Sequence, residues 1–423
     1  MSEWQEHKVN NICQIIGGYA FKSKDFKSEG DIPIIKIKSL KGEKIIISDG
    51  DFVDKEFLEL NQKYHINYND YVIALTGSHI TLPSSAVGRV AKSKHERVLL
   101  LNQRVAKFNV DDQICSHDFL YYFLLTDYFF QNIGLRAKGA ANQANVSAGD
   151  VGNIKIKLPP LPSQQKIAKI LSNYDDLIEN NLKRIKLLEE SAKLTYEEWF
   201  LRFKIEGKRL DIDPDSGLPF RWKNTSFADV FNINNGYAFK SEDYSDHGVS
   251  ILRTRDYSQT KWIKINQPIY ISEEKAKKYK RFYLQEYDLM LIMVGASIGN
   301  YGVVLPIDKG LLQNQNQWAI RANNEFKKYE FYKLLMMENL IKNLLTRKTG
   351  AARDFFRASF LTELEILLPD ENTITRFNKI VQPVYEEINN LQHQNQLLKD
   401  ASDILLPRLI TGIINTDEMD VAV

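Results

Sequence analysis

Basic side chains stand at matching places in a duplicated segment of this sequence. They are the residues whose types and spacing most clearly suggest a binding function. The strand-like run IPIIKIK ends with Lys36 and Lys38, and its counterpart SILRTR carries Arg253 and Arg255 at the matching positions. On a strand, residues i and i+2 share a face, so each pair would present two cations side by side. Lysine and arginine contact phosphates, and arginine can also fork onto guanine O6 and N7. We predict that these four residues contact DNA; the alternative is a solvated sheet face.

Polar loop residues that flank a repeated Gly-Ala-Ala form a second candidate group for DNA contact. Asparagine and glutamine amides can hydrogen-bond to adenine N6 and N7. The two copies differ in these loop residues, although the motifs around the loops are repeated. Different half-sites could therefore be encoded in these loops, and the alternative is a polar surface loop. The candidates are Arg136, Lys138, Asn142, Gln143 and Asn145 in the first copy, Arg347, Lys348, Arg353 and Arg357 in the second, and Ser297 in a further stretch at residues 297–301.

Motifs for catalysis are missing from the sequence. It contains no Asn-Pro-Pro-Tyr or Asp-Pro-Pro-Tyr, no G-x-G-x-x-G, no G-x-x-x-x-G-K-[ST] and no H-E-x-x-H. The glycine-rich run at residues 295–302 has the wrong spacing for a phosphate loop, and the 7 histidines are scattered singly. Cys13 and Cys115 lie far apart in apolar surroundings, which favours buried reduced thiols. We expect a chain without catalytic residues, bound metal or cofactor of its own.

The candidate residues belong to two copies of one module. The sequence GYAFKS at residues 18–23 recurs at residues 236–241, and Asn-Gln at residues 102–103 recurs at residues 314–315. In the first copy, IPIIKIKSL, DYVIALTG and RVLLLNQRVAKF are typical of strands, whereas HDFLYYFLLTDYFFQNI is typical of a helix. Strands that follow one another without regular intervening helices indicate an α+β module with a mostly antiparallel sheet. Gln103 and Gln315 lie in apolar runs, which predicts buried structural amides.

A long amphipathic helix follows each module. Apolar residues recur at steps of three and four from Ser163 to about Phe203, and again from Thr373 to Thr411. About 40 helical residues would make a rod of about 60 Å. We expect Ser163 and Thr373 to cap the two helices, and the helices to pack antiparallel as an intramolecular coiled coil.

Three residues in the long helices carry specific expectations. Pro383 deletes a main-chain hydrogen bond and predicts a kink in the second helix. Asn181 and Asn395 fall at or beside the predicted seam, where each is either solvated or a buried amide that fixes register. An apolar stripe wider than one partner helix can cover predicts outside contacts near the helix ends. The residues assigned to partner binding are Trp199, Phe200, Phe203, Leu406 and Leu409.

Composition is ordinary for a globular protein of two or three domains. The chain has 423 residues, 43% of them hydrophobic, with a formal net charge of +2. The modules are mildly basic and the end of the chain is acidic, which points only weakly to nucleic acid. No apolar run approaches the length of a membrane span, and MSEWQEHKVN is unlike a signal peptide, so we expect a cytoplasmic protein.

Four motifs together resemble the specificity subunits of type I restriction-modification systems. They are LPPLPSQQKIAKIL opening the first long helix, YEEWFLRFKIEGKRLDIDPDSGLPFRW closing it, LLPRLITGIIN at the end of the second, and the duplicated GYAFKS. The resemblance covers essentially the whole chain. One departure is PFRW at residues 219–222, where the family usually has Pro-Glu-Gly-Trp, and it touches only a linker turn.

The resemblance implies an α+β fold in which two repeated globular target recognition domains are separated by two long antiparallel helices with pseudo-two-fold symmetry. We expect target recognition domains at residues 1–160 and 206–370, long helices at 161–205 and 371–412, and an acidic tail at 413–423. Each domain would bind one half of a bipartite double-stranded DNA site. The helices would hold the two domains at a fixed separation, so that an insertion in one helix would change the spacer between the half-sites.

The same resemblance implies partners that supply the chemistry. Two modification subunits would bind S-adenosylmethionine and methylate adenine, and two restriction subunits would use ATP and Mg²⁺ to translocate and cut DNA. The specificity subunit would carry none of these cofactors. The alternatives are a specificity subunit of a methyltransferase-only or type IIB-like system, a fused enzyme, which the missing motifs disfavour, and a coiled-coil scaffold that does not bind DNA.

Overall fold

The computed structural model divides the chain into two compact units. It describes residues 4–48, 50–59, 62–82, 86–140, 143–257, 261–263, 265, 267–305, 310–344 and 356–416. Unit 1 consists of Met1–Glu179 and Asn395–Val423, and unit 2 is Asn180–Gln394. Each unit therefore contains one copy of the repeated module and a segment of both long helices.

Unit 1 is built from short strands in several sheets. The strands are β1 (Gln5–Lys8), β2 (Cys13–Gly17), β3 (Ile32–Ile35), β4 (Leu40–Lys41), β5 (Lys44–Ile45), β6 (Phe52–Val53), β7 (His65–Ile66), β8 (Tyr71–Ala74), β9 (Thr76–Gly77), β10 (Val90–Lys92), β11 (Leu99–Leu101), β12 (Val105–Val110), β13 (Lys138–Ala140), β14 (Gln143–Asn145) and β15 (Lys155–Leu158). They pair in the orders β2-β12-β8-β10-β5-β4, β6-β3-β11-β7, β13-β14-β9 and β1-β15. Most pairs are antiparallel, as predicted, but β3 runs parallel to β11 and β5 runs parallel to β10.

The predicted strand RVLLLNQRVAKF is two strands in two different sheets. Strand β11 lies in the four-stranded sheet and β12 in the six-stranded sheet, and a turn at residues 102–104 joins them. Apolar periodicity alone cannot reveal this break, because the residues on both sides of the turn are buried. The exposed positions within the run are Arg97 at its start and Gln103 and Arg104 in the turn.

The predicted single helix of unit 1 is also divided. The helices are α1 (His117–Leu124), α2 (Asp127–Arg136) and α3 (Ala148–Gly152). Thr126 separates the first two, because its hydroxyl donates to the Phe123 carbonyl at 2.7 Å and accepts from the Phe129 N–H at 3.3 Å. One threonine side chain thus satisfies backbone groups at the end of α1 and the start of α2.

The first long helix is α4 (Leu161–Tyr196), which continues as a π-helical turn at Glu197–Leu201. It begins before Ser163, so the predicted cap is wrong. Pro162 lies in the first turn, where an N–H has no helical partner and proline is therefore tolerated. The Pro160 carbonyl accepts from the backbone N–H of Ser163 at 2.9 Å.

Unit 2 repeats this arrangement in the part of the chain that the structure describes. Its strands are β16 (Lys204–Ile205), β17 (Lys208–Arg209), β18 (Lys223–Ser226), β19 (Phe231–Asn235), β20 (Tyr244–Ser245), β21 (Val249–Leu252), β22 (Tyr270–Ile271), β23 (Leu289–Ile292), β24 (Tyr301–Val303), β25 (Leu311–Gln313), β26 (Gln317–Ala322) and β27 (Glu365–Leu368). They pair as β19-β26-β23-β24, β20-β22-β21-β25, β18-β27 and β16-β17. Its helices are α5 (Phe227–Val230), α6 (Glu273–Ala276), α7 (Glu330–Leu344) and α8 (Ser359–Thr362).

The second long helix is α9 (Glu371–Ile410), and it is not interrupted at Pro383. Asp370 caps it instead of the predicted Thr373. One carboxylate oxygen of Asp370 accepts from the backbone N–H groups of Asn372 at 3.0 Å and Thr373 at 3.2 Å. A carboxylate at this position also interacts favourably with the positive end of the helix dipole.

The two long helices pack antiparallel within each unit. In unit 2, Arg184 of α4 donates to Glu387 of α9 at 2.7 Å, and Asn181 donates weakly to Gln394 at 3.5 Å. In unit 1, the N-terminal part of α4 shares an apolar cluster with the C-terminal part of α9. Asn181 and Asn395 are both buried, at 6% and 8% exposure. This burial supports the interpretation that these amides lie at the seam.

The repeated GYAFKS motif makes the same backbone connection in both copies. In unit 1, the Tyr19 N–H donates to the Leu101 carbonyl at 2.8 Å, and the Gln103 N–H donates to the Tyr19 carbonyl at 3.0 Å. A Cβ on Gly18 would lie 2.2 Å from the carbonyl oxygen of Asn102. Any side chain at residue 18 would therefore prevent this pairing.

The second copy reproduces these contacts. The Tyr237 N–H donates to the Gln313 carbonyl at 3.1 Å, and the Gln315 N–H donates to the Tyr237 carbonyl at 3.0 Å. A Cβ on Gly236 would approach the carbonyl oxygen of Asn314 to 1.9 Å. The repeat of this motif thus has a structural reason: in each copy, the glycine allows the motif to pack closely against the turn that joins the two sheets.

Candidate nucleic-acid interface

An exposed three-stranded sheet in unit 1 places several predicted residues on one face. The sheet pairs β13 with β14 and β14 with β9. Lys138 lies opposite Asn145, and Asn145 lies opposite Thr76. Residues directly opposite one another in antiparallel strands share a face, and Ala144 on the other face is fully buried. Lys138, Asn145 and Thr76 are here termed the polar row.

Arg104 extends the polar row from a third segment of the chain. Its Nη1 donates to Thr76 Oγ1 at 3.3 Å and more weakly to Asn145 Oδ1 at 3.5 Å. The Thr76 hydroxyl donates to Asn145 Oδ1 at 2.7 Å. Arg104 is exposed, and no carboxylate of the described part of the chain lies within ion-pair distance of it. A cation without a protein counterion beside exposed amide and hydroxyl groups suits contact with nucleic acid.

Sequence reasoning missed Arg104 and misjudged its neighbour. Gln103 and Gln315 were predicted to be buried structural amides, and this is wrong because both lie exposed in turns. The buried amides are Gln313 and Gln317, whose side chains donate to backbone carbonyls. The Asn-Gln pair that recurs next to a strand in both copies is the sequence signal that would have indicated a turn.

Three further candidates lie close to the polar row in the sequence. Gln143 is exposed and is two residues from Asn145 on β14, so it shares the face of the polar row. Arg136 folds back onto α2, where its Nη1 donates to the carbonyl of Asn132 at 3.0 Å and to its side-chain oxygen at 2.7 Å. Asn142 lies outside the described residues.

Lys36 and Lys38 do not form the predicted strand face. Strand β3 ends at Ile35, and Ile37–Ser39 is a 3-10 turn. Both lysines contact the fully buried Asp51, Lys36 at 2.8 Å and Lys38 at 2.9 Å. The expected side-by-side arrangement on a strand is therefore wrong, and the pair neutralises a buried carboxylate. Because 54% of its side chain is exposed, Lys38 keeps an accessible surface for the predicted DNA contact.

Arg253 and Arg255 play different roles in unit 2. Strand β21 ends at Leu252, and Thr254–Asp256 is a 3-10 turn, so the predicted shared strand face is wrong here too. Arg253 is 9% exposed and donates to both carboxylate oxygens of Asp256 and to the Gln267 carbonyl at 2.7 Å. Arg255 is exposed and makes no hydrogen bond or ion pair with another described residue. Only Arg255 keeps a guanidinium available for DNA.

The remaining candidates of unit 2 fall largely outside the described chain. Arg347, Lys348 and Arg353 lie in the range 345–355, of which nothing is described. Arg357 follows this range and is exposed. Ser297 is half-buried in a turn after β23, and its carbonyl accepts from the Asn300 N–H at 3.1 Å.

The backbone at this end of unit 2 repeats that of unit 1. In unit 1, the Val146 N–H, just after β14, donates to the Leu75 carbonyl at 2.9 Å. In unit 2, the Phe356 N–H donates to the Met293 carbonyl at 2.8 Å. Val146 and Phe356 are thus anchored to corresponding strand ends in the two units.

Most residues predicted to bind a partner are instead buried. Trp199 is 4% exposed, Phe200 1% and Leu409 1%, and all three fill apolar clusters of their units. Phe203 and Leu406 are partly buried and pack against the same clusters. The prediction is wrong for Trp199, Phe200 and Leu409, because the modules cover the ends of the long helices.

Other apolar residues of the long helices are exposed. In unit 2, Leu187, Leu194 and Leu201 recur every seven residues and are 66%, 50% and 56% exposed. Ile380 of α9 is 44% exposed and lines the same surface groove as Leu187 and Leu194. These four residues are here termed the leucine stripe, and an exposed stripe of this kind marks an interaction surface more often than chance exposure does.

Metal-binding side chains do not cluster among the described residues. None of them form a group of three or more His, Cys, Asp or Glu that could hold a metal ion. Cys13 and Cys115 are buried free thiols, as predicted, and burial raises the pKa of each to about 12. No helix within the described ranges is long and apolar enough to cross a membrane.

Each unit thus joins an α+β module, which carries exposed cationic and amide side chains, to an antiparallel pair of long-helix segments. A module of this kind, present twice and followed each time by a long helix, defines the class of DNA specificity proteins. The family model described as the type I restriction modification DNA specificity domain matches residues 1–190 and 219–399. The chain belongs to this family.

Curated relatives and a solved structure agree with this assignment. The chain is 25% identical to the type I restriction enzyme MjaIX specificity subunit of Methanocaldococcus jannaschii, over 99% of this chain and 95% of the relative. It is 23% identical to the MjaVIII specificity subunit of the same organism, over 99% and 94%. The crystal structure of the type I restriction-modification S subunit of M. genitalium has a TM-score of 0.56 at 16% identity and covers 96% of both chains, which shows a shared fold.

Proposed function

We propose that this chain is the sequence-recognition subunit of a type I restriction-modification complex, and that each module binds one half of a bipartite double-stranded DNA site. The polar row with Arg104 carries the proposal. It brings together cationic, amide and hydroxyl groups from three separate chain segments on an exposed sheet, and these are the groups that contact base edges and phosphates. The backbone contact made by Val146 in unit 1 and by Phe356 in unit 2 supports an equivalent role for the second module.

Chemistry in such a complex belongs to partner subunits. Two modification subunits would supply S-adenosylmethionine-dependent methylation of adenine, and two restriction subunits would supply ATP- and Mg²⁺-dependent translocation and cleavage. Among the described residues of this chain, no group of three or more His, Cys, Asp or Glu could hold a metal ion. Its role is to select the DNA sequence and to hold the partners on it.

Mapping methylated adenines tests the recognition role. The modification subunits are expressed with and without this chain, and every methylated adenine in the host genome is located by single-molecule sequencing. We expect methylation only when the chain is present, and only within one bipartite motif of two half-sites separated by a constant spacer. Methylation that is independent of the chain would contradict the proposal, as would a chain that methylates DNA without the other subunits.

The leucine stripe is the surface that we propose for docking a modification subunit. It is exposed, apolar and heptad-spaced, and the groove beside it is lined by Glu190, Glu198 and Lys204. A partner helix could bury the leucines and pair with this charged rim.

The double variant Leu187→Glu/Leu194→Glu should separate docking from folding. Two carboxylates in an apolar interface cost several kcal/mol, so we expect loss of co-purification with the modification subunit. The melting temperature should stay unchanged, because both side chains are exposed. Lys186→Glu on the same helix is the control: it is exposed but outside the stripe and should leave the complex intact. Retention of the modification subunit by the double variant would exclude this surface.

A further inference from the structure

The turn that contains Arg104 has a structural counterpart in the second unit. The Leu75 N–H donates to the Arg104 carbonyl at 2.9 Å, and the Met293 N–H donates to the Asn316 carbonyl at 3.1 Å. Each residue directly precedes a strand, β12 or β26, that lies in a different sheet from the strand before the turn, β11 or β25. Arg104 and Asn316 therefore occupy the same place in the two copies and differ in side-chain chemistry.

Arg104 is held in a defined orientation with part of its guanidinium unused. Its Nη1 contacts Thr76 and Asn145, whereas Nε and Nη2 have no partner among the described residues. These two donors are parallel and can form a two-pronged contact with a pair of acceptors. The two contacts through Nη1 reduce the side-chain entropy that is lost when the arginine binds.

Asn316 presents a different donor and acceptor set from the equivalent turn. Its backbone is left-handed, with φ of 69°, a conformation that asparagine adopts more readily than most residues. Its side chain is half-buried, and its amide makes no hydrogen bond to another described residue. The carbonyl and NH₂ groups of this amide are therefore both available to a ligand.

We propose that this turn is a base-reading position in each module, with Arg104 reading a guanine in the first half-site and Asn316 reading an adenine in the second. Arginine matches guanine O6 and N7 with two donors, and asparagine matches adenine N6 and N7 with one acceptor and one donor. The inference rests on the proposed DNA-recognition function and adds the residue that specifies one base in each half-site.

Comparing a substitution that keeps the charge of Arg104 with one that removes it distinguishes base reading from phosphate contact. The variants Arg104→Lys and Arg104→Asn are assembled with modification subunits, and their base preference is measured at every position by binding to randomised DNA and by mapping methylated adenines. Lysine keeps the charge but lacks the parallel donors. We expect both variants to lose preference for one guanine in the first half-site by about 10- to 100-fold, with the second half-site unchanged.

A substitution of Asn316 tests the proposal in the second unit. Asn316→Ala should lose preference for one adenine in the second half-site and leave the first unchanged. Arg209→Asn controls for the charge that is lost in Arg104→Asn, because Arg209 is exposed on β17 and has no ion-pair partner among the described residues. It should leave base preference unchanged at every position.

Three results would overturn the inference. If Arg104→Lys keeps the wild-type preference and Arg104→Asn weakens binding equally for all sequences, Arg104 contacts phosphate and reads no base. If the wild-type assembly binds no bipartite site, the proposed function fails and the inference fails with it. A wild-type assembly that recognises its site while the variants keep full preference refutes the base-reading turn alone.

Discussion

Replacing Lys138, Gln143 and Asn145 together with alanine is expected to abolish recognition of the first half-site. The three side chains are exposed on one face of the β13-β14-β9 sheet, so their removal leaves the buried Ala144 and the strand pairing in place. If each contributes one base or phosphate contact of about 1 to 3 kcal/mol, affinity for the cognate site falls by about 100-fold or more. Binding to the cognate duplex at several salt concentrations measures both the loss and the change in salt dependence.

A control that removes at least as much positive charge from the same unit makes the result interpretable. Lys155 and Lys157 are exposed on β15 of the same unit, and their double substitution by alanine removes more charge than the triple variant does. We expect the control to bind the cognate site nearly as well as the wild type. Equal losses in both variants would show that general electrostatic attraction, and no specific surface, accounts for binding.

The second prediction is that substitutions of Arg253 and Arg255 change the stability of the protein by different amounts. Arg253→Met should lower the free energy of unfolding by about 3 kcal/mol, because it leaves the Asp256 carboxylate buried without its guanidinium partner. Arg255→Met, in the same turn, should change stability by less than about 0.5 kcal/mol, because its side chain is exposed. Denaturant titration of both variants measures the difference.

For DNA binding, we expect the opposite: the substitution of Arg255 has the larger effect. Among folded proteins, Arg255→Met should weaken binding to the second half-site by about 1 to 3 kcal/mol, the range for a bidentate arginine contact, with the first half-site unaffected. Arg255→Lys should recover part of a phosphate contact but little of a base contact. If Arg255→Met binds like the wild type and Arg253→Met is as stable as the wild type, the assignment of roles in this turn is wrong.

Much of the architecture follows from local patterns in the sequence. The steps of three and four in α4 and α9, the alternation of short strands with turns, and the duplicated GYAFKS depend on neighbouring residues, so they can be identified without coordinates. The resemblance to specificity subunits also rests on local motifs, and the family match confirms it. Helix ends were harder to predict, since capping by Asp370 and the start at Leu161 depend on backbone geometry within one turn.

The candidate site was predicted less well, for a physical reason. Exposure of a cation depends on whether a carboxylate from another segment pairs with it. Asp51 pairs with Lys36 and Lys38 from a distant position, whereas Asp256 pairs with Arg253 within one turn. Apolar residues at the helix ends were misassigned similarly, because the packing of a module against a helix decides whether Trp199 or Leu187 is the exposed side chain.

By itself, the sequence determined that this protein consists of two copies of an α+β module and two long helices, that it lacks recognisable catalytic motifs, and that it belongs among the specificity subunits. Those conclusions depend on periodicity and on motifs that are contiguous in the chain. Only the tertiary structure joined Arg104, Thr76 and Asn145, because strand pairing brings residues that are far apart in sequence to one face of a sheet. Recognition of DNA requires such a surface, and its members can be identified only once the strands are paired.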